Sequence, residues 1–88
     1  ADAALDWMAA RAMAGMDTQG DRLAWTPDTP RAVALRVLDA IIARLSPTAA
    51  APRGGDLARW HDHLAAGRIA TLAGVRGDGR GERWQFAP

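Results

Sequence analysis

Pro52-Arg53, an amphipathic segment from Asp56 to Ala66, Gly67, then Arg68-Ile69-Ala70-Thr71-Leu72-Ala73-Gly74-Val75, a glycine-rich turn and Arg83-Trp84-Gln85-Phe86: this stretch decides the fold. The order predicts a helix, a glycine stop and a β-hairpin. Leu57, Trp60 and Leu64 recur at helical spacing and form the buried stripe, with His61 beside them. The hairpin is expected to place Ile69, Thr71, Ala73 and Val75 on one face, opposite Trp84 and Phe86. Its turn is expected in Gly77-Asp78-Gly79-Arg80-Gly81.

Two further helices lie upstream. Residues 2–16 carry Leu5, Met8, Ala9, Ala12, Met13 and Met16 at three- and four-residue spacing, which makes one apolar stripe. Trp7 falls on the opposite face, with Arg11 one turn on and within reach of its ring. It is assigned as a contact residue for a neighbouring domain, or as a ring packed on Arg11. Asp17 to Asp21 is turn chemistry, and Arg22 to Trp25 forms a short strand with Leu23 and Trp25 on one face. Thr29-Pro30 marks the next helix start, Thr as N-cap and Pro at the first helical position. That helix runs to about Leu45, and its stripe of Ala34, Leu35, Leu38, Ile41, Ile42 and Leu45 is widened by Val33 and Val37. Such a broad stripe belongs to a central helix covered on more than one side. Arg36 and Asp39 are expected to pair on its polar face. Residues 46–55 form a linker inside the domain, since neither side has enough core alone.

The whole is therefore expected to be one α+β domain over 1–88, with three helices, a C-terminal β-hairpin and a possible short first hairpin. Its 88 residues, 49% of them hydrophobic, can fold but leave only a modest core. No apolar run approaches the ~20 residues needed to cross a membrane. Cysteine is absent, which excludes disulfides and thiolate metal sites and points to the cytoplasm. Ala1 in place of Met is what an excised portion of a longer protein would show.

All 11 basic residues are Arg, and 21 residues are Ala. A GC-rich genome produces that usage, and Arg also suits bidentate phosphate contact. The net charge of +1 is unevenly spread. Residues 1–52 carry five Arg against six acids, and residues 53–88 carry six Arg against four acids. A polyanion is thus expected on the C-terminal part. Arg53, Arg68, Arg76 and Arg83 are the candidate RNA-binding residues, tracking phosphates of a structured RNA. An ordinary solvated surface is the competing account.

Catalytic signatures are missing. His61 and His63 stand two apart, so on a helix their imidazoles diverge and cannot share an ion. Gly77 to Gly81 lacks the Lys-Ser/Thr and following helix of a phosphate loop, and reads as a flexible turn. No Ser/His/Asp or Cys/His set and no acid–base pair can be assembled. Neither a catalytic residue nor a bound metal or cofactor is expected in this segment.

Taken in order, Leu35-Arg36-Val37-Leu38 in a long helix, Pro52-Arg53 before a Leu/Trp/Leu helix, and Gly67-Arg68-Ile69-Ala70-Thr71-Leu72-Ala73-Gly74 opening a hairpin resemble the post-catalytic domain of bacterial tRNA(Ile)-lysidine synthetases. That family commonly shows Pro-Arg before the helix and Thr-Leu-Gly-Gly at the hairpin; here Ala73 replaces the first of those glycines and Ala51 the usual aromatic. The resemblance covers roughly residues 1–87. It implies a parent ligase that uses ATP, with Mg, to adenylate the wobble cytidine of an isoleucine tRNA before lysine displaces AMP. It also implies that the chemistry belongs to an N-terminal catalytic domain of the same chain. These residues would then form a non-catalytic accessory domain that holds tRNA. The alternative is a protein–protein interaction or structural module.

Overall fold

The computed structural model describes residues 3–88. Helix α1 spans Ala3–Ala14; Asp2, included in that helix from sequence, lies outside the described residues. Strands β1 (Asp17–Gln19) and β2 (Arg22–Trp25) follow, then helices α2 (Arg31–Leu45) and α3 (Gly54–Ala65). Strands β3 (Ile69–Leu72), β4 (Val75–Asp78) and β5 (Trp84–Ala87) complete the chain. This is the expected α+β architecture of three helices and a C-terminal hairpin, but the strands join into one antiparallel sheet ordered β1-β2-β5-β4-β3.

The first hairpin exists. Gln19 pairs with Arg22 across the two-residue loop Gly20-Asp21. Gly20 has φ +61 and Asp21 does not share the positive φ, the signature of a type II′ turn. The expected glycine-rich turn does join two antiparallel neighbours, β4 and β5, but an additional turn splits the strand expected over Ile69 to Val75. Leu72 faces Val75 across Ala73-Gly74, whose φ values are 52 and 82, a type I′ turn. That turn moves Ile69 and Thr71 to the exposed side, while Ala70, Leu72 and Val75 turn to the core. Of the glycines expected in the glycine-rich turn, Gly81 is exposed there, while Gly77 and Gly79 are packing positions. Gly77 lies in β4 under Leu64 and Trp60, and Gly79 lies under the last turn of α3, its N–H donating to the Arg68 carbonyl at 3.0 Å.

Helix ends show two outcomes. Gly67 (φ 78) stops α3 with bonds from its own N–H to Leu64 O and from Arg68 N–H to His63 O, as a Schellman cap requires. At α2 the expected Thr29 cap is replaced: Pro30 (φ −55, ψ 152) takes the cap position, without a side-chain bond. Thr29 Oγ1 is buried and has no hydrogen-bond partner among the described residues.

One cluster holds the molecule together. Val33, Ala34, Val37, Leu38, Ile41 and Ile42 of α2 meet Leu57, Trp60 and Leu64 of α3 and Leu23, Trp25, Val75, Trp84 and Phe86 of the sheet. Aromatic rings meet edge-on, Trp25 to Trp84 at 5.8 Å and Trp60 to Phe86 at 5.6 Å between centroids. The indole Nε1 of Trp60 donates to Ala70 O at 2.9 Å, so the polar end of that buried ring is satisfied. Arg36 pairs with Asp6 of α1 at 2.5 Å rather than with Asp39. Arg31 pairs with Asp62 of α3 at 2.5 Å, which lowers the Asp62 pKa through that hydrogen bond.

Candidate nucleic-acid interface

Strand alternation gives the sheet two unlike faces. Leu23, Trp25, Val75, Gly77, Trp84 and Phe86 are buried under the helices, while Arg22, Ala24, Arg76 and Gln85 lie on the other face. Register then fixes which outer residues are neighbours. Leu23 opposes Phe86 and Arg76 opposes Ala87, so Arg22, Ala87 and Arg76 fall in one row across β2, β5 and β4. Gln19 and Thr71 end that row. With strands about 4.8 Å apart, the two arginines stand roughly 10 Å apart with a small alanine between them.

Two more arginines border this face. Arg83, just before β5, forms an ion pair with Asp17 of β1. Arg80 chelates Asp78 through Nε at 3.1 Å and Nη2 at 2.9 Å, and its backbone N–H adds a third bond at 3.1 Å. Those contacts from Arg80 hold the Asp78 carboxyl down to about 2, so it is ionised at any physiological pH. Neither Arg22 nor Arg76 has a carboxylate within ion-pair distance among the described residues. Arg76 feels the Asp78 carboxylate, whose pKa it helps to lower, but no ion pair ties down either guanidinium, and both can take phosphate oxygens. Together the face presents four guanidiniums against the carboxylates of Asp17 and Asp78.

The four arginines singled out from sequence do not make one patch. Arg76 and Arg83 share the outer sheet face. Arg53 precedes α3, where its carbonyl accepts from the N–H groups of Asp56 and Leu57, and Arg68 follows Gly67 at the other end. A helix of 12 residues separates them, roughly 18 Å. Arg22 is not among the candidates that the sequence points to. It sits in the half with net negative charge, and its place beside Arg76 depends on the pairing of β2 with β5. The signal available was the alternation Arg22-Leu23-Ala24-Trp25, which turns Arg22 away from whatever Leu23 faces.

Trp7 is 60% exposed, with the Arg11 guanidinium 4.9 Å from the ring centroid. His61 is the core-edge histidine expected, its ring 5.6 Å from Trp84, whereas His63 is exposed. Among the described residues no group of three or more His, Cys, Asp or Glu is placed to hold a metal ion. No helix among them is long and apolar enough to cross a membrane.

Comparison with known proteins gives the site a context. The chain is similar to a tRNA(Ile)-lysidine synthase of Novosphingobium aromaticivorans, 44% identical over 89 aligned positions that take in 99% of this chain and 27% of that protein. It thus spans about a quarter of the length of the relative it matches. The resemblance carried by the ordered words around Pro52-Arg53 and Gly67 to Gly74 stands on this match. No family model and no solved structure matches the chain.

Proposed function

We propose that these residues form a non-catalytic portion of a tRNA(Ile)-lysidine synthase that grips tRNA on the outer face of the sheet. Two findings support this: the 44% identity running the length of the chain, and the row in which Arg22 and Arg76 stand free on either side of Ala87. A sheet face with spaced, unpaired guanidiniums contacts phosphates without reading bases, and it suits a structured RNA recognised by shape. Arg83 and Arg80 add charge at the rim, and Arg53 and Arg68 are outlying phosphate contacts. The whole protein, on this reading, is a cytoplasmic ATP-dependent ligase that converts the wobble cytidine to lysidine. ATP, Mg and the reacting groups would be held outside these residues.

A salt titration of tRNA binding by the full-length protein tests the proposal. Arg22→Ala and Arg76→Ala are each expected to weaken binding and to lower the slope of log affinity against log salt by roughly one unit. Unchanged affinity and slope for both variants would remove the sheet face from the RNA path.

A further inference from the structure

A groove of about 610 Å³ opens between α1, β2 and the segment leading into α2. We infer that it receives a single unpaired nucleobase of the RNA; this rests on the tRNA reading above and adds a base contact to a backbone contact. The volume lies in the range of sites that take small organic ligands. Its walls are the indoles of Trp7 and Trp25 and the side chains of Arg11, Thr26 and Asp28. Trp25, Trp60 and Trp84 are 6%, 3% and 5% exposed, but Trp7 is 60% exposed. A bare indole with a guanidinium over one face is a stacking platform of the kind that holds splayed-out bases.

The charges favour a base over a phosphate. Arg11 and Arg83 at the groove are matched by Asp17 and Asp28, so it offers no net attraction to an anion. Carboxylates and a threonine hydroxyl beside an aromatic wall fit the amino and ring-nitrogen edges of a base instead. Position supplies the link to the sheet. Asp17, Ala24 and Arg83 border this groove and also the shallow hollow on the outer face that includes Arg22 and Gln85. A strand whose phosphates lie on Arg22 therefore leads to the mouth of the groove. Only an unstacked nucleotide can enter it, from a loop or an end rather than from within a duplex.

The test compares full-length wild type, Trp7→Ala, Trp7→Phe and Arg22→Ala with two probes: an unmodified tRNA(Ile) transcript and a fully paired RNA duplex. Trp7→Ala is expected to weaken tRNA binding by roughly 10-fold or more, with the salt slope unchanged and duplex binding unaffected. Trp7→Phe is expected to restore most of the loss. Arg22→Ala is expected to lower the slope with either probe. An unchanged tRNA affinity in Trp7→Ala, alongside the slope change in Arg22→Ala, would overturn the base site and leave the tRNA reading intact. Equal losses on tRNA and duplex, with new proteolytic cleavage sites in the full-length protein, would overturn it in favour of Trp7 docking on the rest of the chain. Wild type that binds neither probe would remove both.

Discussion

Gly79 shows how a single residue can be mistaken by its surroundings. In the run Gly77-Asp78-Gly79-Arg80-Gly81 it has the composition of a floppy loop, yet a Cβ built there would lie 2.6 Å from Leu64 Cα and 2.7 Å from Leu64 C. Backbone cannot move aside as a flexible side chain can. Gly79→Ala is therefore expected to lower stability by about 1–3 kcal/mol or more, read from the midpoint of urea unfolding. Gly81→Ala, whose new atom would come no closer than 3.9 Å to its surroundings, is expected to leave the midpoint within about 0.5 kcal/mol of wild type. Similar losses in both would mean that the close approach to α3 is absent. Arg36 carries the same lesson for charge. Local spacing suggested Asp39, but a partner 30 residues away on α1 proved nearer. Short-range rules rank only the neighbours they can see.

At the scale of the element, the β3–β4 hairpin is set by backbone preference. A two-residue type I′ loop needs positive φ at both central positions, and the chain supplies Ala73 at φ 52 and Gly74 at φ 82. The Thr-Leu-Gly-Gly run of the resembling family puts glycine at both, so Ala73 carries a strain that the family form avoids. A side chain at Gly74 would meet only Ser46 Oγ, at an ordinary 3.5 Å. Gly74→Ala thus isolates the conformational cost and is expected to reduce stability by about 1–2 kcal/mol. Ala73→Gly is expected to be close to neutral, because relief of strain is offset by a lost methyl and a freer unfolded chain. Thermal unfolding of the pair checks this; a larger loss from Ala73→Gly than from Gly74→Ala would contradict the turn. The words Ala73-Gly74 were visible in the sequence, and so were the later glycines. Both are used, the first closing β3 on β4 and the second leading from β4 to β5; that Gly77 and Gly79 also pack under α3 was not written locally.

For the whole molecule the decisive contact is the pairing of β2 with β5, which sets Leu23 against Phe86 and Trp25 against Trp84. It converts two local hairpins into one sheet and gives the core residues from both sides of the linker at 46–53. A chain opened between Ala50 and Ala51 is accordingly expected to yield two pieces, 1–50 and 51–88, that are each unfolded alone. Mixing them should restore the near-ultraviolet dichroism of the packed tryptophans. A dispersed amide spectrum from 51–88 by itself would show that the C-terminal part is an independent unit. The same pairing, together with that of β4 and β5, assembles the candidate interface by bringing Arg22 alongside Arg76.

By itself the sequence determined the helices, the glycine stop at Gly67, the interior placement of Leu57, Trp60, Leu64 and Phe86, the α+β class and the family resemblance. These follow from periodicities and caps that act over a few residues, where every interacting group is written close by. Only the tertiary structure decided which arginines share a face, and that Arg22 belongs among them. Those outcomes depend on strands some 60 residues apart meeting in one register, and a shift of one residue would have sent each arginine to the opposite side.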